Sequence, residues 1–224
     1  MNRTAFVIAI SLLLGGCKIG VRTDLPLSGV LSEGLKDADS DLLVEVASCT
    51  SYEDSRQPSD TLLDAQKTVP TVFPDAKYKE CFTQKMTSWA IFSIPVVYGR
   101  HTGSDLKDDG KLHILSYKDT NGQYIAVEAS ETLKERVKAL TSKSFSSFNP
   151  ADLIINVRLN NDTGSDKKID IVSSFINDQP VPLITDSTLQ KDQFIELRLS
   201  DVTTQAVLLP KQYRQSAIFL RNIH

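Results

Sequence analysis

Apolar residues recur at every second position through much of the chain, and that period marks strands with one buried face. Leu42, Val44 and Val46 share a side of a run ending at Ser48, which predicts a strand over 42–48. Further strands are predicted at about 77–83 and 89–98. In the second, Ala90, Phe92, Ile94, Val96 and Tyr98 line one face, and Trp89, Ile91 and Val97 line the other. A strand apolar on both faces is expected to be covered on both sides. Pro95 within it predicts a bulge or an edge position. Strands at 111–117 and 123–129 flank Asn121-Gly122, a strong short-range hairpin signal.

Helical spacing is scarcer. Ser59 can cap a helix over 60–67 with Leu62, Leu63 and Gln66, and Pro70 and Pro74 are expected to stop it. Ser130 can cap a second helix reaching about Ser142, with Leu133, Val137 and Leu140 in one stripe. Ser144 to Asn149 reads as a boundary between modules. Beyond it Leu153, Ile155, Val157 and Leu159 alternate, Asn161-Asp162-Thr163-Gly164 turns the chain, and Ile169, Ile171, Ser173 and Phe175 alternate again. Short strands are predicted at about 181–184, 194–199, 206–209 and 217–221. The expected fold class is therefore α+β and mainly β. It has an N-terminal mixed module at 41–148, with antiparallel strands and one or two short helices, and a β-sandwich-like module at 150–224.

The start of the chain follows other rules. Arg3 precedes the apolar run Ala5 to Leu14, and Gly15, Gly16 and Cys17 follow. A charged start, a short apolar core and small residues before a cut describe a secretory signal peptide, here 1–16. The run is shorter than the ~20 residues that span a bilayer as a helix. Leu14-Gly15-Gly16-Cys17 resembles the lipobox of bacterial lipoproteins. That resemblance covers the first seventeen residues and implies that Cys17 is acylated and becomes the first residue of the mature chain. It also implies a membrane partner through lipid and a place in the cell envelope. Lys18 departs from the aspartate that commonly holds such proteins at the inner membrane, which favours the periplasmic face of the outer membrane in a Gram-negative cell. Residues 17–40 are expected to form the lipidated N-terminus and a tether, with local pairing at 19–22 and a turn or short helix from 24 to 34.

Composition narrows the function classes. The apolar share is 41% and the charged share 24%, ordinary for a globular protein. Net charge is −3, and removing Arg3 with the signal leaves −4, so the clustered basic charge of a nucleic-acid binder is missing. The chain has three cysteines. With Cys17 acylated, Cys49 and Cys81 remain as a pair in an oxidising compartment, and a structural disulfide between them is expected. By strand alternation both sulfurs leave from the more polar side. No C-x-x-C is present, so a redox role is not expected.

Catalytic and metal motifs are scarce. His101, His113 and His224 fit no metal-ligand spacing and read as ordinary surface. Asp105 to Gly110 carries part of an EF-hand calcium pattern, but Lys107 stands at its third position and Ser116 at its twelfth, so a solvated loop is expected. No metal site, cofactor, small-molecule ligand or catalytic group is expected. The leading functional expectation is a non-enzymatic, lipid-anchored envelope protein that binds or helps assemble another envelope component. Two alternatives stay open. One is a phage- or plasmid-encoded lipoprotein that interferes with a surface receptor or an entry process. The other is an enzyme without a readable motif.

Overall fold

The computed structural model describes residues 18–103, 106–120, 122–141, 153–209, 217–221 and 223. The signal segment, Cys17, Asp105, Asn121, the expected boundary at 144–149 and His224 lie outside the described residues. In chain order the elements are β1 (Ile19–Pro26), α1 (Leu27–Leu31), β2 (Gly34–Val46), α2 (Asp60–Val72), β3 (Lys77–Gln84), β4 (Thr87–Arg100), β5 (Leu112–Asp119), β6 (Gly122–Ala129), α3 (Glu131–Thr141), β7 (Leu153–Asn160), β8 (Lys167–Ile176), β9 (Gln179–Leu189), β10 (Phe194–Leu199), α4 (Asp201–Val207) and β11 (Ala217–Arg221).

All eleven strands belong to one sheet. Nine of them close a barrel in the order β10-β7-β1-β2-β4-β5-β6-β11-β8, and β8 returns to β10 through Arg198↔Phe175 and Leu199↔Ser174. Two neighbours run parallel, β1 with β7 and β4 with β5, and the other pairings are antiparallel. The long strands β4 and β8 each divide one edge between two partners. β3 covers β4 up to Ser93 and β5 takes over from Val96. β11 meets β8 at Asp170 and Ile171, and β10 meets it at Ser174 and Phe175. Such division lets a small closed sheet turn sharply while most backbone groups stay paired.

The protein is mainly β as expected, but the sandwich-like half is corrected to a barrel. Strands from both sides of 144–149 share one circuit, β1, β2, β4, β5 and β6 in one arc and β11, β8, β10 and β7 in the other, and they fill one core. Leu42, Phe92, Ile94, Ile114, Ile125, Ile155, Leu159, Ile171, Leu197 and Phe219 all point into it. A period of two shows which face is buried. It does not show which strand lies alongside, and the parallel β1–β7 pair joins segments more than a hundred residues apart. The expected tether at 17–40 is corrected too: residues 19–26 are a barrel strand flanked on both sides, and Lys36 to Ser40 belong to β2.

Helices close the barrel. Leu27 and Val30 of α1 and Leu62, Ala65, Val69 and Val72 of α2 are buried in the core. Ser59 caps α2 by accepting from Leu62 N, as its sequence position predicts. α2 nevertheless runs past the expected stop at Pro70. Val69 and Val72 gain burial from the extra turn, and Phe73 N still donates to Val69 O at 2.9 Å. Residues 206–209, expected as strand, instead follow a helical path in and beyond α4, which Ser200 caps by accepting from Thr203 N. Pro95 marks neither an edge nor a bulge: it sits opposite Asp39 on β2, in the gap where β4 passes from β3 to β5 and no ladder donor is required there. The expected cover on both faces of β4 is present, since Ile91 and Val97 are buried as well as Phe92, Ile94 and Val96.

Candidate functional site

The outer face of the β5–β6 hairpin carries a cluster of titratable and aromatic side chains. The register puts His113 opposite Glu128 and Tyr117 opposite Tyr124. His113 is 0% exposed, which corrects the expectation of a surface histidine. Its Nε2 lies 2.8 Å from Asp109 Oδ1 and donates to that carboxylate, while its buried Nδ1 has no hydrogen-bond partner. Tyr117 donates its hydroxyl to Glu128, stacks on Tyr124 with ring centres 5.1 Å apart, and meets the edge of His101 at 5.5 Å.

Asp109 opens towards a shallow cleft of about 190 Å³ lined by Phe73, Pro74, Asp75, Pro95, Gly110, Lys111 and Arg136 as well. Arg136 lies directly over Gly110, where a Cβ would come within 2.5 Å of its Nη1, and that glycine has φ +74°. Lys111 reaches across to Asp37 at 2.6 Å, and this hydrogen bond raises its pKa above the ordinary lysine value. The cleft is smaller than the roughly 300–1,000 Å³ of typical ligand pockets. A second recess, of about 220 Å³ between β9 and β10, is equally small.

The segment with part of a calcium pattern has other work. Asp108 accepts from Thr132 N at 2.7 Å and from Thr132 Oγ1 at 2.9 Å, holding the first turn of α3. Those hydrogen bonds, the backbone one foremost, lower its pKa. Asp109 is occupied by His113 and by Lys111 N. No group of three or more His, Cys, Asp or Glu side chains suited to a metal ion occurs among the described residues. The Asp109–His113 pair escaped the sequence reading because spacing alone does not reveal burial.

The two other cysteines are bonded to each other, Cys49 to Cys81, with Cα atoms 5.6 Å apart. The bond forms from different surfaces than alternation predicts. Cys49 lies beyond the end of β2, and a bulge between Tyr78 and Glu80 shifts the phase of β3, so that Cys81 packs against the core. The bridge ties loop 47–59 to the β3–β4 hairpin at the end of the barrel where β1 begins, because Ile19 pairs with Val44 and Val46 with Ser88.

The chain belongs to the family described as Domain of unknown function (DUF7424), which it matches over residues 19–220. No curated protein and no solved structure matches it.

Proposed function

We propose that the chain is a lipid-anchored envelope protein, held by acylation of Cys17, whose barrel binds another envelope protein. One observation carries the anchoring part. The lipobox-like Leu14-Gly15-Gly16-Cys17 ends two residues before Ile19, the first residue of a central barrel strand. Cleavage before Cys17 would therefore leave every described strand intact. The Cys49–Cys81 bridge suits an oxidising compartment outside the cytoplasm. A protein partner is favoured over a small ligand because both recesses are small and His113 is shut away from solvent.

Expression with a labelled fatty acid tests the anchor. The protein should carry label and sediment with membranes, and Cys17→Ser should remove both properties. A Cys17→Ser chain that stays labelled and membrane-bound overturns the anchor. Crosslinking in intact cells followed by affinity purification tests the second part, and repeated recovery of no specific protein overturns it.

A further inference from the structure

Three large apolar side chains stand out from the described surface: Tyr52 at 104% exposure, Met86 at 99% and Val202 at 77%. They come from two loops and the start of α4, yet strand register brings all three to one end of the barrel. Met86 is the tip of the β3–β4 turn, just beyond the Val46↔Ser88 pair. Tyr52 lies in the loop that leaves β2 at Val46 and is stapled by Cys49–Cys81. Val202, the second residue of α4, comes just after β10, which runs antiparallel to β7 and heads towards Leu153 past the Arg198↔Asn156 pair. Leu153 pairs with Ile19, the first residue of β1.

Lys18 is at this same end, joined to Glu45 through both its backbone amide and its carbonyl. A lipid on Cys17 would thus hang from the rim that carries Tyr52, Met86 and Val202. One residue, Lys18, separates Cys17 from β1, so the leash spans only about 7 Å even when extended. The barrel cannot swing freely on so short a link. We propose that the barrel stands end-on against the bilayer, with Tyr52, Met86 and Val202 seated in the headgroup–acyl boundary beside the acyl chains. This inference rests on the anchoring of Cys17 proposed above.

Charge at this rim is mixed. Lys18 and Lys85 share it with Glu53, Asp54 and Asp201, and Arg56 is already paired with Asp54. Seating therefore depends on apolar contact and should occur on zwitterionic lipid as well as on anionic lipid.

The single tryptophan, Trp89, reports the orientation without a label. It lies three residues along β4 from Met86, about 10 Å. The full-length acylated protein is reconstituted into phosphatidylcholine vesicles with brominated acyl chains, which quench tryptophan only at short range. Vesicle flotation is measured on the same sample. Trp89 should lose clearly more of its emission in floating protein than a probe at the far end of the barrel. The Trp89→Phe/Leu35→Trp variant carries its probe at the far end, where Leu35 pairs with Gly99, and should lose little. Replacing Tyr52, Met86 and Val202 together by Asp should relieve the quenching of Trp89 while flotation persists. Floating protein with unquenched Trp89, equal quenching at both ends, or no relief in the triple variant each overturns end-on seating and leaves the anchor standing. Wild-type protein that does not float overturns the anchor and the seating together.

Discussion

Asp162, in the turn after β7, accepts hydrogen bonds from both the backbone amide and the hydroxyl of Ser28, 134 residues earlier in the chain. Ser28 is in the first turn of α1, whose N-cap, Pro26, offers no side-chain cap. Asp162 therefore caps α1 from the turn of the neighbouring strand, just past the Pro26↔Asn160 pair.

The cap predicts an acid-sensitive contribution to stability. Partial burial raises the pKa of Asp162, but the bonds from Ser28 and from its own backbone amide outweigh that and hold the carboxyl below its usual range. A depressed pKa stabilises the fold above the unfolded value of about 3.9, and that contribution is lost as pH falls through the lower folded value. Asp162→Ala should lower stability by about 1 kcal/mol at neutral pH. The gap between the urea midpoints of the variant and the wild type should narrow as pH falls below about 3.9, and a gap that stays unchanged refutes the assignment.

The bridge between Cys49 and Cys81 spans 32 residues. In the chain-entropy model a loop of that size stabilises by about 3–4 kcal/mol. Cys49→Ser/Cys81→Ser should lower the thermal midpoint, and dithiothreitol should lower the wild type to the same value but leave the variant unmoved. A wild type indifferent to reductant would show that the bridge does not form.

Gly99 has φ +141°, and a Cβ there would lie 2.2 Å from Gly34 O, a backbone atom that no side-chain rotation can move. Gly164 has φ +83° with open space around it. Gly99→Ala should therefore destabilise by several kcal/mol, and Gly164→Ala by only about 1–2 kcal/mol of backbone strain. Equal losses in denaturant titrations would mean that β2 and β4 do not approach so closely.

Asn161 is 1% exposed, and its amide donates to the carbonyls of Ser165, Leu189 and Gln190. Its Oδ1 accepts from Thr163 Oγ1 at 2.7 Å. Asn161→Ala removes all these bonds at a buried position and should cost about 2–3 kcal/mol. Amide exchange should rise first at residues 161–166 and 189–193, and a uniform rise along the chain would contradict a local role.

Most strands were legible because alternation is written in each run, as in Leu153 to Leu159 and in Ile169 to Phe175. The barrel was not, because closure depends on which distant runs meet. Ile19 to Pro26 illustrates the gap: its alternation is blurred by Gly20 and Pro26, and its second neighbour is β7. The β5–β6 hairpin was legible in its faces but less so in its pairing. A turn centred on Asn121-Gly122 would set His113 against Ser130, whereas Asp119↔Gly122 sets it against Glu128. The misread strand at 206–209 is a short apolar run whose length does not separate helix from strand. The cysteine pairing followed from counting, while its geometry turned on a bulge that no residue pattern announces.

The parallel seam between β1 and β7 also orders events in time. While the chain is made from its N-terminus, β1 can pair early with β2, but its other edge stays open until residues 153–160 exist. Strand pairing of such long sequence separation is slow to form. For most of synthesis the first strand thus presents an unfilled edge, able to accept a strand from another chain. Growth conditions that slow completion of the chain should therefore raise aggregation of this protein more than that of a barrel closed by neighbouring hairpins.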